Sequence, residues 1–143
     1  MHYFNYSSKS KTQINYVDEF LHGWCSILQY LLINKIEGSI AFEIFEKTNE
    51  TNGEFYNDHQ IVFYKEYFID VRGIFTEEEM IEEHRKEHIK MLPKRHLKED
   101  ENIEIQIKPA SCIGDEEFNS FGGLPVISAL EVVEIILALL VLE

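Results

Sequence analysis

The chain has 143 residues, which is the length of one ordinary domain with a single core. Its 26 Asp and Glu residues outnumber 13 Lys and Arg residues and give a formal net charge of −13. A field of this sign repels phosphate backbones, so we expect no nucleic-acid partner and favour a basic protein or cationic peptide. The acidity also fits a simpler role, which is to keep the protein soluble.

The two cysteines, Cys25 and Cys112, bear on the cellular compartment. Two cysteines are too few for a disulfide scaffold, and a chain of this size does not need one. The N-terminal residues contain no apolar segment of the kind found in a signal peptide. We therefore expect a cytoplasmic protein in which Cys25 is a free thiol.

The C-terminal run from Leu124 to Leu142 is apolar enough to raise the question of a membrane span. Pro125, Glu131 and Glu134 interrupt it, and only the eight residues Ile135 to Leu142 are uninterrupted. A span needs about 20 apolar residues. We expect no membrane partner, and predict a helix that is buried or that forms a homodimer interface.

The first predicted elements are a helix and a strand, after an irregular segment at 1–14. Apolar residues at helical spacing predict a helix from Asp18 to Lys35, which Gly23 interrupts. Gly38 stands where a glycine commonly ends a helix. From Ser39 to Lys47 apolar and polar residues alternate, and this pattern predicts a strand.

Two β-rich runs then predict a hairpin. They are His59–Tyr64 and Tyr67–Val71, and Lys65 and Glu66 separate them. Lys-Glu is not a favoured two-residue turn, but the short separation still indicates that the two strands pair. The loop before the hairpin is the turn-rich segment 48–53.

The second half is predicted to contain helix, strand and helix. Thr76 and Glu79 have the spacing of a capping box, and Pro93 is expected to end the helix that they start. The mixture of helices and antiparallel strands predicts an α+β fold in a single domain, 1–143, with a candidate thiol-site half at 14–76 and a second half at 77–143. The three elements of the second half are a helix at 76–92, a strand at 103–108 and a helix at about 126–142.

The pattern around Cys25 is typical of a nucleophilic thiol. A thiol attacks as the thiolate, and a helix N-terminus lowers its pKa. Cys25 lies at the start of the stronger part of the first helix and needs a base with an orienting group. If the hairpin loop has two residues, His59 and Asp70 share one face as diagonal neighbours. A three-residue loop would place them on opposite faces.

The order of these residues resembles that of papain-like and transglutaminase-like proteins, including compact bacterial and phage-type members. Gly23-Trp24-Cys25 opens a helix, His59 opens a strand, and Tyr67 to Gly73 closes the next strand. The resemblance covers about residues 16–76. It implies that Cys25 is the nucleophile, His59 the base and Asp70 the orienting carboxylate, with no cofactor. The implied chemistry is acyl transfer at an amide: peptide hydrolysis, deamidation or transamidation.

Blander interpretations of the same residues stay open. A cysteine on an apolar helix is most often a small core residue, and an inactive relative could keep the fold. Asp70 could simply shape the end of its strand. The leading hypothesis is a cysteine-dependent amide hydrolase or acyl transferase acting on a protein or peptide. The alternative is a non-catalytic acidic binding or inhibitor protein that uses its negative surface against a basic partner.

Two further patterns are weaker. His84 to His88 fits the H-x-x-E-H pattern of some zinc proteases, with both imidazoles on one helix face. A position between core and solvent also explains them, and no third ligand stands out by spacing, so we predict that they bind no metal. Cys112 lies in a glycine-flanked loop without a following helix start, and we expect a structural thiol there.

Overall fold

The structure is a computed structural model that describes residues 2–6, 15–47, 54–95 and 103–141. It has an α+β fold, and its described part contains six strands in one antiparallel sheet together with five helices. The strand order across the sheet is β1-β5-β4-β3-β2-β6. In chain order the elements are β1 (His2–Tyr3), α1 (Tyr16–His22), α2 (Cys25–Lys35), β2 (Ile40–Lys47), β3 (Tyr56–Tyr64), β4 (Tyr67–Asp70), β5 (Gly73–Phe75), α3 (Glu77–Arg95), β6 (Glu104–Pro109), α4 (Asp115–Ser120) and α5 (Leu124–Val141).

The register of the β3–β4 hairpin confirms the predicted two-residue loop. Tyr64 pairs with Tyr67, so Lys65 and Glu66 alone make the turn. Both have positive φ angles, 48° and 71°. A two-residue hairpin turn of the primed type needs this conformation at both positions, and the register enforces it although neither residue favours it. The two candidate site residues of the hairpin therefore share one face of the sheet.

The sheet separates two apolar clusters. On one face, which we call the α2 face, Val62 and Ile69 contact the core formed with α1, α2 and α5. On the other, the α3 face, Ile61 and Phe68 join Met80 of α3. Neighbouring residues of a strand point to opposite faces, so each strand contributes to both clusters. This alternation fixes which side chains of β3 can meet α2 and which can meet α3.

The C-terminal helix α5 is buried on one side only. Its inward residues enter the α2-face core, and they are Ser128, Ala129, Val132, Val133 and Ile136. Its exposed apolar residues are Leu124, Ile127, Leu130, Leu139 and Val141. Its 18 residues have a mean hydropathy of 2.4, with 28% of them buried, so by length and composition the helix could cross a membrane.

Helix boundaries differ from the predicted ones at three places. The expected first helix is two helices, because the chain breaks at Gly23 and Trp24. The second of these ends at Lys35, as predicted, and Gly38 has a φ of 84° in the turn that follows. Helix α3 continues past Pro93 to Arg95, so Pro93 does not end the helix as predicted. The predicted loop before α5 contains the short helix α4.

The sequence patterns did not predict the short strands β1 and β5. Gly73 in β5 pairs with Tyr3 in β1. A Cβ atom on Gly73 would lie 2.0 Å from the carbonyl oxygen of His2. Only glycine allows the two backbones to approach so closely. Strands of two or three residues show too little alternation to be recognised.

Candidate functional site

The structure brings together two of the three predicted catalytic residues and separates the third. Nε2 of His59 lies 3.0 Å from Oδ2 of Asp70, and both side chains are buried. The thiol of Cys25 contacts Oε1 of Gln60 at 3.8 Å instead. Gln60 follows His59 in β3, so the two side chains point to opposite faces of the sheet. The expected contact between Cys25 and His59 is not formed, because the sheet lies between them.

His59 and Asp70 belong to a buried ion-pair network. Arg72 donates to Oδ2 of Asp70 from Nη2 at 2.6 Å and from Nε at 3.0 Å. Burial alone would raise the pKa of Asp70, but Arg72 and His59 lower it well below its usual range. Burial lowers the pKa of His59 despite the neighbouring Asp70. The imidazole thus ties β3 to the carboxylate at the end of β4, and it faces α3 rather than the thiol.

Cys25 occupies the predicted position but not the predicted state. It is the first residue of α2. Burial raises the pKa of its thiol, and backbone hydrogen bonds at Gln60, Cys25 and Ser26 offset this only in part. Asp58 raises the pKa of Cys25 further through charge repulsion. The direction of this shift is opposite to the lowered pKa that the sequence predicts for a thiol at a helix start. Cys112 is half-buried in the loop before α4.

A pocket of about 380 Å³ opens between α3 and the junction of α1 with α2. We call it the acidic pocket. It is lined by three carboxylates, three imidazoles and one thiol, which belong to Glu46, Asp58, Glu87, His22, His84, His88 and Cys25. The pocket reaches round the end of the sheet, since α1 and α2 cover one face and α3 covers the other.

Glu46 is the centre of this cluster. Its Oε1 lies 3.4 Å from Nε2 of His84 and 3.4 Å from Nδ1 of His88. Its Oε2 accepts a hydrogen bond of 2.6 Å from the hydroxyl of Tyr56. Asp58 contacts Nε2 of His84 through Oδ2. Burial opposes the charged form of His84, but the bonds to Asp58 and Glu46 outweigh it and raise the pKa of His84.

Three local features place these side chains together. Ile44 pairs with His59 and Phe45 with Asn57, so Asp58 is an extra residue in β3. Such a bulge bends the strand and redirects its side chain. The imidazoles of α3 lie four residues apart and so face the same way. Glu46 continues the β2 alternation that places Ile44 in the α3-face core.

The two carboxylate partners of the histidines escaped sequence analysis. One signal was present: Glu46 interrupts the apolar alternation of Phe42 and Ile44 with a charge at an inward position. Asp58 gave no signal in the sequence. The bulge that redirects its side chain can be recognised only from the pairing of β2 with β3. Comparisons of the chain with protein-family models, curated proteins and solved structures found no match. The chemistry of the pocket is therefore the guide to function.

Proposed function

We propose that this chain is a hydrolase that acts at an amide bond of a protein or peptide, and that the acidic pocket is its site. One observation carries the proposal: the buried imidazole of His84 is held between the carboxylates of Asp58 and Glu46 inside a pocket. Titratable groups whose pKa values are shifted by burial and by a charged partner are concentrated at functional sites. The His59–Asp70 pair is buried, and neither residue lines the acidic pocket.

An imidazole held by a carboxylate serves hydrolysis in two ways. It can accept a proton from a nucleophile as a general base, with the carboxylate fixing its orientation. It can also ligate a metal ion that activates water. In either route the activated nucleophile can attack the carbonyl carbon of an amide. Cys25 lies on the wall of the same pocket, but burial raises the pKa of its thiol, so we propose water as the attacking group.

Charge supports a basic substrate. The chain has a formal charge of −13, and three carboxylates line the pocket. A negative cleft concentrates cationic ligands near itself. The resemblance of the chain to papain-like and transglutaminase-like proteins supports an amide as the reacting group, although the pocket groups differ from those that the resemblance implies. We therefore favour peptides with Lys or Arg near the scissile amide.

The test is turnover of a peptide mixture. The protein is incubated with a digest of a whole proteome, and mass spectrometry records new termini or deamidated side chains near basic residues. We expect His84→Ala to lose about 100-fold or more of the activity. His2→Ala, which removes an exposed histidine of β1 far along the sheet from β3, is the matched control and should keep it. Equal activity in the two variants would sink the proposal.

The charge itself favours a second candidate, an acidic binding protein without catalysis. An excess of 13 acidic residues, 26 against 13, suits a basic protein surface. Binding of this type weakens steeply with salt, because screening shortens the reach of exposed charges. Absence of turnover together with salt-sensitive capture of a cationic peptide would favour this candidate over the hydrolase.

A further inference from the structure

We propose that the acidic pocket binds a divalent transition-metal ion through Glu46, Asp58, His84 and His88. Binding is a property of these four side chains, while the role of the ion in hydrolysis rests on the proposed function. Glu46 and Asp58 are the additional ligands that the spacing of the two histidines alone did not reveal. Zn²⁺ is the ion that we propose, for the reasons of distance, donor type and burial that follow.

The distances between the donor atoms fit a tetrahedral ion. Ligand atoms about 2.0–2.1 Å from a tetrahedral zinc ion lie about 3.3–3.4 Å from each other. Oε1 of Glu46 lies 3.4 Å from a ring nitrogen of His84 and 3.4 Å from one of His88. Hydrogen bonds between nitrogen and oxygen are shorter, about 2.7–3.2 Å. The spacing therefore suits two ligands of one ion better than it suits two hydrogen-bonded pairs.

Asp58 completes the group. Its carboxylate and the donor atoms of Glu46 and His84 all lie within 4.8 Å of one another. Asp58 contacts Nε2 of His84 directly. A small rotation of the Asp58 carboxylate would open this contact and let both atoms bind the ion.

His88 supplies the independent observation. Its side chain is 2% exposed, and neither ring nitrogen has a hydrogen-bond partner among the described residues. A buried polar group without a hydrogen bond costs about 1–3 kcal/mol. A metal ion on Nδ1 would remove that cost for this nitrogen, which already faces Glu46. The side chain is also held in place, since it lies on α3 one turn from His84.

A hydrogen bond from Tyr56 holds the Glu46 carboxylate in position. Tyr56 donates its hydroxyl to Oε2 at 2.6 Å and leaves Oε1 facing the imidazoles. Metal-binding carboxylates are commonly held by such a hydrogen bond on the oxygen that faces away from the ion. Tyr56 and Glu46 lie opposite each other in the paired strands β3 and β2, so the sheet itself sets this contact.

The donor set selects the class of ion. Two imidazoles with two carboxylates suit Zn²⁺ and neighbouring transition metals, while Ca²⁺ and Mg²⁺ prefer oxygen ligands throughout. The two buried or half-buried carboxylates of Glu46 and Asp58 concentrate negative charge that a divalent cation would neutralise. Zn²⁺ can also accept a fifth ligand, which would be a water or substrate oxygen entering from the pocket.

The test measures metal binding without any substrate. Protein freed of metal by a chelator is titrated with Zn²⁺ by calorimetry and with Co²⁺ by visible absorption. We expect one ion per chain, a tetrahedral or five-coordinate Co²⁺ spectrum, and a higher melting temperature with Zn²⁺. His88→Ala should weaken binding at least 100-fold, and Glu46→Gln should do the same, whereas His2→Ala should bind as the wild type does.

Tyr56→Phe guards against variants that fail to fold. It removes one hydroxyl from the contact behind Glu46 and keeps the ring, and we expect affinity to fall about 10–100-fold with an unchanged circular dichroism spectrum. Binding of less than one ion per chain, or equal affinity in wild type, His88→Ala and Glu46→Gln, would overturn the metal site.

The two proposals fail separately. Stoichiometric Zn²⁺ binding without turnover of any peptide would leave the metal site standing and end the hydrolase proposal. Turnover that survives complete removal of metal, in protein that does not bind Zn²⁺, would leave the hydrolase standing with His84 as a general base. Activity that chelator abolishes and Zn²⁺ restores would support both.

Discussion

The thiol of Cys25 donates to Oε1 of Gln60 across 3.8 Å, on the face of the sheet opposite His59. Because the sheet separates the two side chains and burial raises the pKa of the thiol, we expect slow alkylation of Cys25 by iodoacetamide at neutral pH. His59→Ala should leave this rate unchanged. Mass spectrometry of the folded protein after brief labelling measures it, with Cys25→Ser to identify the labelled site. A clear slowing without His59 would restore the thiol site that the sequence predicted.

The buried pair of Asp70 and Arg72 should be visible in stability. Asp70→Asn leaves the guanidinium of Arg72 buried without its counter-charge, which costs about 3–5 kcal/mol of unfolding free energy at pH 7. Urea unfolding followed by circular dichroism measures the loss. Asp18→Asn removes an exposed carboxylate and should change stability by less than about 1 kcal/mol.

The same carboxylate predicts a pH dependence. Burial opposes ionisation of Asp70, but Arg72 and His59 lower its pKa below the ordinary value of 3.8. A carboxylate with a lowered pKa in the folded state stabilises the fold above its unfolded pKa, and the stabilisation is lost as the pH falls below that value. We expect the unfolding free energies of wild type and Asp70→Asn to show their full difference at pH 7. The two values should converge as the pH drops below about 4. A constant difference from pH 7 to pH 3 would contradict this assignment.

Gly73 should tolerate no side chain. In Gly73→Ala the new methyl group would lie 2.0 Å from the carbonyl oxygen of His2, so β1 has to move away from β5. We expect a loss of about 1–3 kcal/mol of unfolding free energy and faster hydrogen exchange of the amides in β5. Gly122→Ala is the control, because no atom outside its neighbours lies within 4 Å of the added Cβ. Equal stability of the two variants would show that β1 does not pack as described.

Two isoleucines of α5 provide a matched pair. Ile136 is fully buried against α2, and Ile127 is 53% exposed. Ile136→Ala should cost about 2–5 kcal/mol, because it removes buried methyl groups and leaves a cavity. Ile127→Ala should change stability by no more than about 0.5 kcal/mol. Thermal or urea unfolding distinguishes them, and similar losses in both would mean that the exposed side of α5 is covered in solution.

The α+β class of the fold was predictable because several of its elements are locally encoded. Alternation marks β2, the capping box of Thr76 and Glu79 marks the start of α3, and their two reciprocal bonds are present at 2.8 Å and 3.3 Å. The observed hairpin register is the one that a two-residue loop produces, whereas the sequence alone also allowed a three-residue loop. Elements that depend on a partner were missed, since β1 has two residues and is a strand only because β5 lies beside it.

The candidate site was less predictable for the same physical reason. His59 and Asp70 were expected together, and the hairpin does bring them together. The face on which they lie relative to α2 is a tertiary property that no spacing reveals. Conversely, the partners of His84 come from β2 and from a bulge in β3, and both reach α3 only when the sheet is assembled.

The two outer strands of the sheet give neighbouring chains little backbone to pair with. On one side the described edge is β1, which has only two residues, and on the other side β6 ends in Lys108 and Pro109. Proline lacks an N–H group and lysine at an edge disfavours docking of another strand, so both features limit edge-to-edge aggregation. The exposed apolar side of α5 is therefore a better surface for self-association than either edge of the sheet, and contacts there would form through side chains rather than through β-pairing.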